Sequence, residues 1–211
     1  MLASKKGKKL GSTLSIAFLL RIETRIVTLS LLTFTLLFSC RPLKMETFDS
    51  ITGNFSNEFG VAEIKPEELK ARMHGDAPTL LIDVRTSQEQ SVSVLKNAVR
   101  VTPDQALDEL PELRDFLERH ETDANAMVVV YCAGGYRSAR SLSRMQTAPE
   151  LPVRNLRGGI IAYSNAAGEL VQPDGNAATD RVHGYNSFWA SFILAPREAT
   201  IEPAIPEQQS N

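Results

Sequence analysis

Short apolar runs alternate with segments of helical periodicity along the middle of this chain of 211 residues. The apolar runs are rich in β-branched residues, which is typical of strands buried on both faces. Other segments place apolar side chains three and four residues apart, which predicts helices with one buried face. We predict strands at 61–64, 79–84, 99–101, 127–131 and 153–156, and helices at 67–73, near 87–92, from 103 through 117, after the loop at 132–135, and after Gly159.

Strands that alternate with helices predict an α/β fold, a parallel sheet with helices on both faces. In such a sheet, ligands bind at the carboxyl ends of the strands. We expect one catalytic domain at 61–195. A polar tether at 41–60 would precede it, and a proline-containing, disordered tail at 196–211 would follow it.

Cys132 follows the apolar strand 127–131 directly and opens a short loop with two glycines. Gly134 and Gly135 permit positive φ, so that backbone N–H groups can turn toward one point. A thiolate near a helix N-terminus and an arginine is stabilised as an anion and is a usable nucleophile. With Arg137 on the helix that follows, the pattern predicts a nucleophilic cysteine in an anion-binding loop.

Three segments then resemble one family. Cys132–Ser138 resembles the active-site loop of the rhodanese (sulfurtransferase) family, and Leu80–Arg85 resembles its first conserved strand with an Asp-x-Arg motif. Val153–Tyr163 resembles the family's segment with paired glycines, and Arg181–Trp189 is similar to the end of bacterial single-domain members. The resemblance covers residues 62–194 and implies a rhodanese-like fold.

The resemblance also implies a reaction. The Cys132 thiolate would accept a sulfane sulfur from thiosulfate or a similar small anionic donor, hold it as a persulfide, and pass it to a thiol or to cyanide. Arg137 would be the second catalytic residue, and no cofactor would be needed. The residues implied to bind the donor are Ala133, Gly134, Gly135, Tyr136, Ser138, Asp83 and Arg85. For Asp83 and Arg85, a structural ion pair is an equally good interpretation of the sequence.

Two alternatives to sulfur transfer stay open. Phosphatases and arsenate reductases of related fold carry one more residue in the loop than the four that separate Cys132 from Arg137, and commonly a histidine where this chain has Tyr131. The shorter loop therefore favours a sulfur-sized atom. The other alternative is a non-catalytic module that binds a partner or carries a persulfide, against which the intact cysteine, arginine and glycines argue.

The N-terminus predicts export. Lysines and arginines precede the uncharged apolar run 26–39, which at about 14 residues is short for a membrane span and suits a signal peptide. The sequence Leu37-Phe38-Ser39-Cys40 resembles a lipobox, so residues 1–40 would be a signal peptide and Cys40 the site of lipidation. We expect a periplasmic or outer-membrane-anchored lipoprotein. An uncleaved anchor, or a cytoplasmic protein that starts at Met45, are the alternatives.

The net charge and the spacing of the histidines argue against nucleic-acid and metal partners. A net charge of −2 and a pI near 6.0 give no case for a nucleic-acid partner. The three histidines share no ligand spacing, so no metal site is expected. With Cys40 lipidated, Cys132 would be the one remaining thiol, which argues against a structural disulfide.

Overall fold

The computed structural model describes residues 44–145 and 151–203, and from Thr47 onward they belong to one compact unit. The predicted signal peptide with Cys40, and residues 204–211 of the predicted tail, lie outside these ranges. None of the helices described has both the length and the apolar character that a membrane span requires.

Five parallel strands form the central sheet: β1 (Glu63–Ile64), β2 (Thr79–Asp83), β3 (Val99–Arg100), β4 (Met127–Tyr131) and β5 (Val153–Leu156). Their order across the sheet is β1-β5-β4-β2-β3. β4 therefore lies at the centre, hydrogen-bonded to β5 on one side and to β2 on the other. The predicted α/β fold with a parallel sheet is confirmed.

Within residues 44–145 and 151–203, eight α-helical segments accompany this sheet, and a small second sheet follows it. The helical segments are α1 (44–52), α2 (Phe55–Glu58), α3 (Pro66–Met73), α4 (Ser87–Gln90), α5 (Pro111–Arg119), α6 (Tyr136–Leu142), α7 (Gly159–Asn165) and α8 (Ser187–Ala190). The second sheet pairs β6 (Arg181–His183) with β7 (Glu198–Thr200) in parallel.

Alternate residues of β4 pack on opposite faces of the central sheet. Val128 and Val130 belong to a core cluster with side chains of α5 and α6, whereas Val129 and Tyr131 belong to a cluster with side chains of α3 and α7. All four are 0% exposed. Both faces of the strand are therefore covered, which explains why its sequence is apolar throughout rather than alternating.

The segment 103–117 is not one helix. Pro111 occupies the first turn of α5, and a short 3-10 turn at Leu107–Glu109 precedes it. Proline has no N–H, and its ring clashes with the carbonyl of the preceding turn, so a helix can start at Pro111 but cannot run through it. The predicted start at Pro103 was wrong, although the predicted apolar face is buried.

Both predicted flexible ends also differ from the structure. Phe48 is 2% exposed and belongs to a core cluster, so the folded unit begins well before the predicted tether ends at residue 60. At the other end, Glu198–Thr200 pairs with Arg181–His183 in the second sheet. Enough apolar and backbone contacts exist at each end to order segments whose composition is polar.

Candidate active site

The loop that carries Cys132 lies at the carboxyl end of the central strand. β4 ends at Tyr131, which is in register with Asp83 of β2. Cys132 follows at once, and α6 begins at Tyr136. The thiol is free and 2% exposed. The predicted position, at the carboxyl end of a parallel strand, is the one that the structure shows.

Two glycines let this loop close on the sulfur. Gly135 has φ +97° and donates its N–H to Cys132 Sγ at 3.1 Å. Gly159, at the start of α7, has φ +57°, and a Cβ there would collide with the carbonyl oxygens of Cys132 and Ala133. Both positions require glycine, one for its backbone angle and the other also for the close approach.

Backbone hydrogen bonds connect the start of α7 to the loop that carries Cys132. Ile160 N–H donates to the carbonyl of Cys132 at 2.9 Å, and Ile161 N–H donates to the carbonyl of Ala133 at 3.2 Å. In a trans peptide the C=O and the next N–H point in opposite directions. The amides of Ala133 and Gly134 therefore point away from α7, which leaves them to other partners.

Both terminal nitrogens of the Arg137 guanidinium are engaged by another side chain. Its Nη1 donates to one carboxylate oxygen of Glu89 at 2.7 Å and its Nη2 to the other at 2.6 Å. The Arg137 side chain is 23% exposed and that of Glu89 is 2% exposed. The guanidinium also lies over the ring of Tyr185, with Cζ 4.8 Å from the ring centroid. Its direction is thus fixed by two partners.

The pair shifts both ionisation equilibria toward the charged forms. Burial opposes each charge, but the hydrogen bonds and charge of Arg137 hold the pKa of Glu89 below its ordinary value. Conversely, burial is outweighed at Arg137, where the bond to Glu89 and the nearby charges of Cys132 and Glu89 raise the pKa. Both side chains are ionised at neutral pH, and the pair has no net charge.

Asp83 and Arg85 form a second ion pair that is buried beside the site. Both side chains are 0% exposed, with Arg85 Nη2 2.7 Å from Asp83 Oδ2. Arg85 also donates to the carbonyls of Ser93 at 2.6 Å and Glu89 at 3.4 Å. Neither residue lines the pocket at Cys132, and they hold the segment that carries Glu89. This favours the structural ion pair, while donor binding by these residues stays a prediction.

Ser138 is likewise buried and structural. Its hydroxyl lies 2.7 Å from Oδ1 of Asn155 and 3.2 Å from the carbonyl of Gly135. Asn155 in turn donates to that same carbonyl at 3.0 Å and to Ser56 Oγ at 3.1 Å. Ser138 does not line the pocket, and its predicted contact with the donor stays a prediction. It connects the loop to β5 and to α2.

The pocket in front of Cys132 has a volume of about 240 Å³. Its walls combine the loop with aromatic side chains from both ends of the folded unit. Tyr185 and Trp189, which lie toward the C-terminal end of the folded unit, are among these aromatic side chains. The residues that line it are Phe55, Cys132, Ala133, Gly134, Tyr136, Arg137, Tyr185 and Trp189.

Sequence reasoning missed three residues of this site. Glu89 was detectable as the end of a capping box, Thr86-x-x-Glu89, which the structure forms at the start of α4. That spacing says nothing about Arg137, however. Phe55 and Asn155 carried no signal that would place them near Cys132, because both contacts join distant parts of the chain. Within 44–145 and 151–203, no group of three or more His, Cys, Asp or Glu is placed to hold a metal ion.

Residues 65–166 match the model of the rhodanese-like domain. A tRNA uridine(34) hydroxylase of Erwinia tasmaniensis is 32% identical over 112 residues, which cover 53% of this chain and 31% of that protein. The corresponding protein of Yersinia pestis is 34% identical over 102 residues, covering 48% and 28%. The chain thus matches less than a third of the length of these relatives.

Two solved structures are also similar. A rhodanese-like domain protein of Staphylococcus aureus is 28% identical, with a TM-score of 0.38, over 49% of this chain and 91% of that one. A thiosulfate sulfurtransferase of Pseudomonas aeruginosa is 19% identical, with a TM-score of 0.45, over 69% of this chain and 26% of that one.

Proposed function

We propose that the rhodanese-like domain of this chain is a sulfurtransferase that works through a persulfide on Cys132. The observation that carries the proposal is the position of Sγ. It lies at the end of the central strand, accepts the N–H of Gly135 at 3.1 Å, and lines a pocket wide enough for a small donor. The thiolate is the nucleophilic form of a cysteine.

The first half of the reaction would load sulfur onto the cysteine. The Cys132 thiolate attacks the outer sulfur of the donor, and a new S–S bond forms. The bond between the outer sulfur and the rest of the donor breaks, and its electron pair leaves with sulfite when the donor is thiosulfate. The product is a Cys132 persulfide anion, which the loop amides stabilise as they would an oxyanion.

The second half would unload it. A thiol, as its thiolate, or cyanide attacks the terminal sulfur and keeps it, and the electron pair of the broken S–S bond returns to Cys132 as a thiolate. The products are a persulfide or thiocyanate. No oxidant or reductant is consumed, since the sulfane sulfur moves between two nucleophiles.

Mass spectrometry of the intact protein tests this proposal. After incubation with thiosulfate, we expect a gain of one sulfur atom on the peptide that contains Cys132, reversed by cyanide with release of thiocyanate. Hydrolysis of an aryl phosphate that depends on Cys132, without sulfur loading, would instead establish the phosphatase alternative. Loading that no acceptor reverses would indicate a persulfide carrier or binding module.

A second candidate is a role in modifying a tRNA uridine, which the name of the relatives from Erwinia tasmaniensis and Yersinia pestis favours. Their activity belongs to chains of which this one matches less than a third. Incubating the protein with tRNA and analysing the nucleosides for hydroxylated uridine tests it. An unchanged nucleoside profile, beside sulfur loading of Cys132, would exclude this candidate.

We also propose that the protein is exported and lipidated at Cys40. The support is the apolar run 26–39 and the lipobox-like segment that ends at Cys40. Several acyl chains on one cysteine would anchor the protein stably, whereas a single chain holds only marginally. Cys40→Ser should abolish labelling by a fatty-acid analogue and leave sulfur transfer intact. Mature protein that begins at Met45 would contradict export.

A further inference from the structure

Aromatic rings surround the opening in front of Cys132. Phe55 lies edge-on to Tyr136, with ring centroids 5.3 Å apart, and 6.3 Å from the ring of Trp189. Tyr185 covers a further side, where it packs against the guanidinium of Arg137. Together with Ala133 and Gly134, these rings give the pocket mainly apolar walls. Such walls favour a ligand with apolar surface.

Three of the aromatic side chains in these walls come from outside the stretch that matches the rhodanese-like domain. Phe55 precedes residue 65, and Tyr185 and Trp189 follow residue 166. They are nevertheless held firmly. The edge of the Trp189 ring faces Phe48, at 6.0 Å between centroids, and its backbone N–H is capped by Asn186 Oδ1 at 3.1 Å. The two flanking segments therefore complete the pocket as fixed parts of the fold.

The same segments anchor to the domain through side-chain hydrogen bonds. Asn165 at the end of α7 donates to the carbonyl of Phe192 at 2.9 Å and accepts the N–H of Leu194 at 2.9 Å. Phe48 packs against Phe192, at 5.2 Å between centroids. These contacts fix the segment after α8, and with it the direction in which Trp189 enters the pocket.

The pocket offers little attraction to a doubly charged anion. Arg137 is the one residue with a positive charge among those that line it, and both of its terminal nitrogens bind Glu89. Arg157 does not line the pocket and is paired with Asp49 and Glu63. A dianion such as thiosulfate would lose its hydration without gaining an unpaired cation.

We infer that the sulfur donor of this site is a small organic sulfane compound, with an apolar or aromatic group and at most one negative charge. An organic thiosulfonate, R–SO₂–S⁻, has this chemistry. The R group would pack on the wall formed by Phe55 and Trp189, while the terminal sulfur meets Cys132. This inference rests on the proposed sulfur transfer and names the substrate class.

With a thiosulfonate donor, sulfur is loaded onto Cys132 by the same bond changes as with thiosulfate. The Cys132 thiolate attacks the terminal sulfur of R–SO₂–S⁻, the Cys–S bond to that sulfur forms, and the S–S bond of the donor breaks. The electron pair leaves on the sulfinate R–SO₂⁻, and Cys132 carries the persulfide anion. The thiosulfonate that enters and the sulfinate that leaves each carry one negative charge, so no dianion has to be accommodated in the pocket.

Three donors test this: benzenethiosulfonate, methanethiosulfonate and thiosulfate, compared by kcat/KM with cyanide as acceptor. We expect the aromatic donor to be used best. Trp189→Ala and Phe55→Ala should each lower the ratio of benzenethiosulfonate to methanethiosulfonate by about tenfold, which corresponds to about 1.4 kcal/mol, because each variant removes apolar surface on which the aromatic group packs. The intrinsic reactivities of the donors cancel when ratios are compared between variants.

Phe59→Ala is the matched control for Phe55→Ala. Both rings pack edge-on to Tyr136, at 5.2 and 5.3 Å between centroids, but Phe59 is not among the residues that line the pocket as the structure describes it. The ratio should stay within about twofold of the parent value in this control. A ratio that neither Trp189→Ala nor Phe55→Ala changes, or thiosulfate as the best donor of the parent, would overturn the inference.

Binding can be measured without the reaction, because Trp189 is the single tryptophan of the chain. In Cys132→Ser, benzenethiosulfonate should change the tryptophan fluorescence at concentrations at which thiosulfate does not. If this change occurs but no donor loads sulfur on the parent, the proposed transfer fails and the ligand class stands. If thiosulfate loads sulfur and the aromatic compound neither binds nor reacts, the inferred class of organic donor is refuted and the proposed sulfur transfer stands.

Discussion

Arg137 and Glu89 join the two helices that follow the neighbouring strands β4 and β2. Arg137 lies in the first turn of α6, and Glu89 lies in α4, where it also completes the capping box with Thr86. The carboxylate oxygen that receives Arg137 Nη1 also accepts the Thr86 N–H at 3.1 Å. One side chain therefore sets both the start of α4 and the direction of the arginine at the pocket.

Replacing Glu89 should destabilise the protein. Glu89→Ala leaves the mostly buried guanidinium of Arg137 without its partner and removes a helix cap, so we expect the free energy of unfolding to fall by about 3 kcal/mol. Urea denaturation measures the change. The exposed Glu112, in the first turn of α5, is the control, and Glu112→Ala should change stability by about 0.5 kcal/mol or less. Equal effects at the two positions would refute a special role for Glu89.

The contribution of Glu89 should depend on pH in one direction. Its pKa lies below the ordinary value of 4.5, so as pH falls the unfolded chain takes up the proton first. The stability that the carboxylate supplies is complete above 4.5 and is lost as pH falls through the folded pKa. The difference in urea midpoint between the parent and Glu89→Gln should be constant near neutral pH and should narrow in acid. A difference that widens in acid would contradict this sign.

Cys132→Ser should abolish sulfur transfer and preserve the fold. A serine hydroxyl can still accept the N–H of Gly135, and the change in volume is small, whereas an alkoxide is not available at neutral pH. Thiocyanate formation from cyanide measures activity, and the thermal melting of the variant checks the fold. Parental rates in the serine variant would remove Cys132 from the reaction.

Gly159→Ala should damage the loop more than an equivalent change elsewhere. Gly159 and Gly175 both have positive φ, at +57° and +76°, so alanine is strained by about 1 to 2 kcal/mol at either position. A Cβ at Gly175 meets nothing within 4 Å, whereas one at Gly159 presses on the carbonyls of Cys132 and Ala133. We expect Gly159→Ala to cost at least about 2 kcal/mol more and to lower sulfur transfer, measured by denaturation and by thiocyanate release. Equal costs would show that the loop yields freely.

The central fold could be predicted because its signals are local. The run Met127–Tyr131, with three consecutive valines, predicts a strand that is buried on both faces, and Cys132 follows it directly. Parallel pairing then brings the ends of β2 and β4 to one edge of the sheet. Composition misled at the N-terminal end of the folded unit, because Phe48, one of three phenylalanines in the polar segment 41–60, is buried in a core cluster.

The walls and the ion pairs of the site could not be predicted in the same way. Arg137 and Glu89 are 48 residues apart, and no periodicity within one element reports such a contact. Asp83 lies on β2 beside β4, and its full burial with Arg85, which favours a structural role, depends on packing that the Asp-x-Arg motif does not report. Contacts between elements depend on packing, which the sequence pattern of a single element does not encode.

Phe55 and Trp189 meet in front of Cys132, although 133 positions of the chain lie between them. During synthesis, the cysteine loop and its strands leave the ribosome well before α8 does. The segment that carries Trp189 is therefore made last of the parts that line the pocket. A chain truncated before Trp189 would keep Cys132 and its strand but would lack this part of the pocket wall.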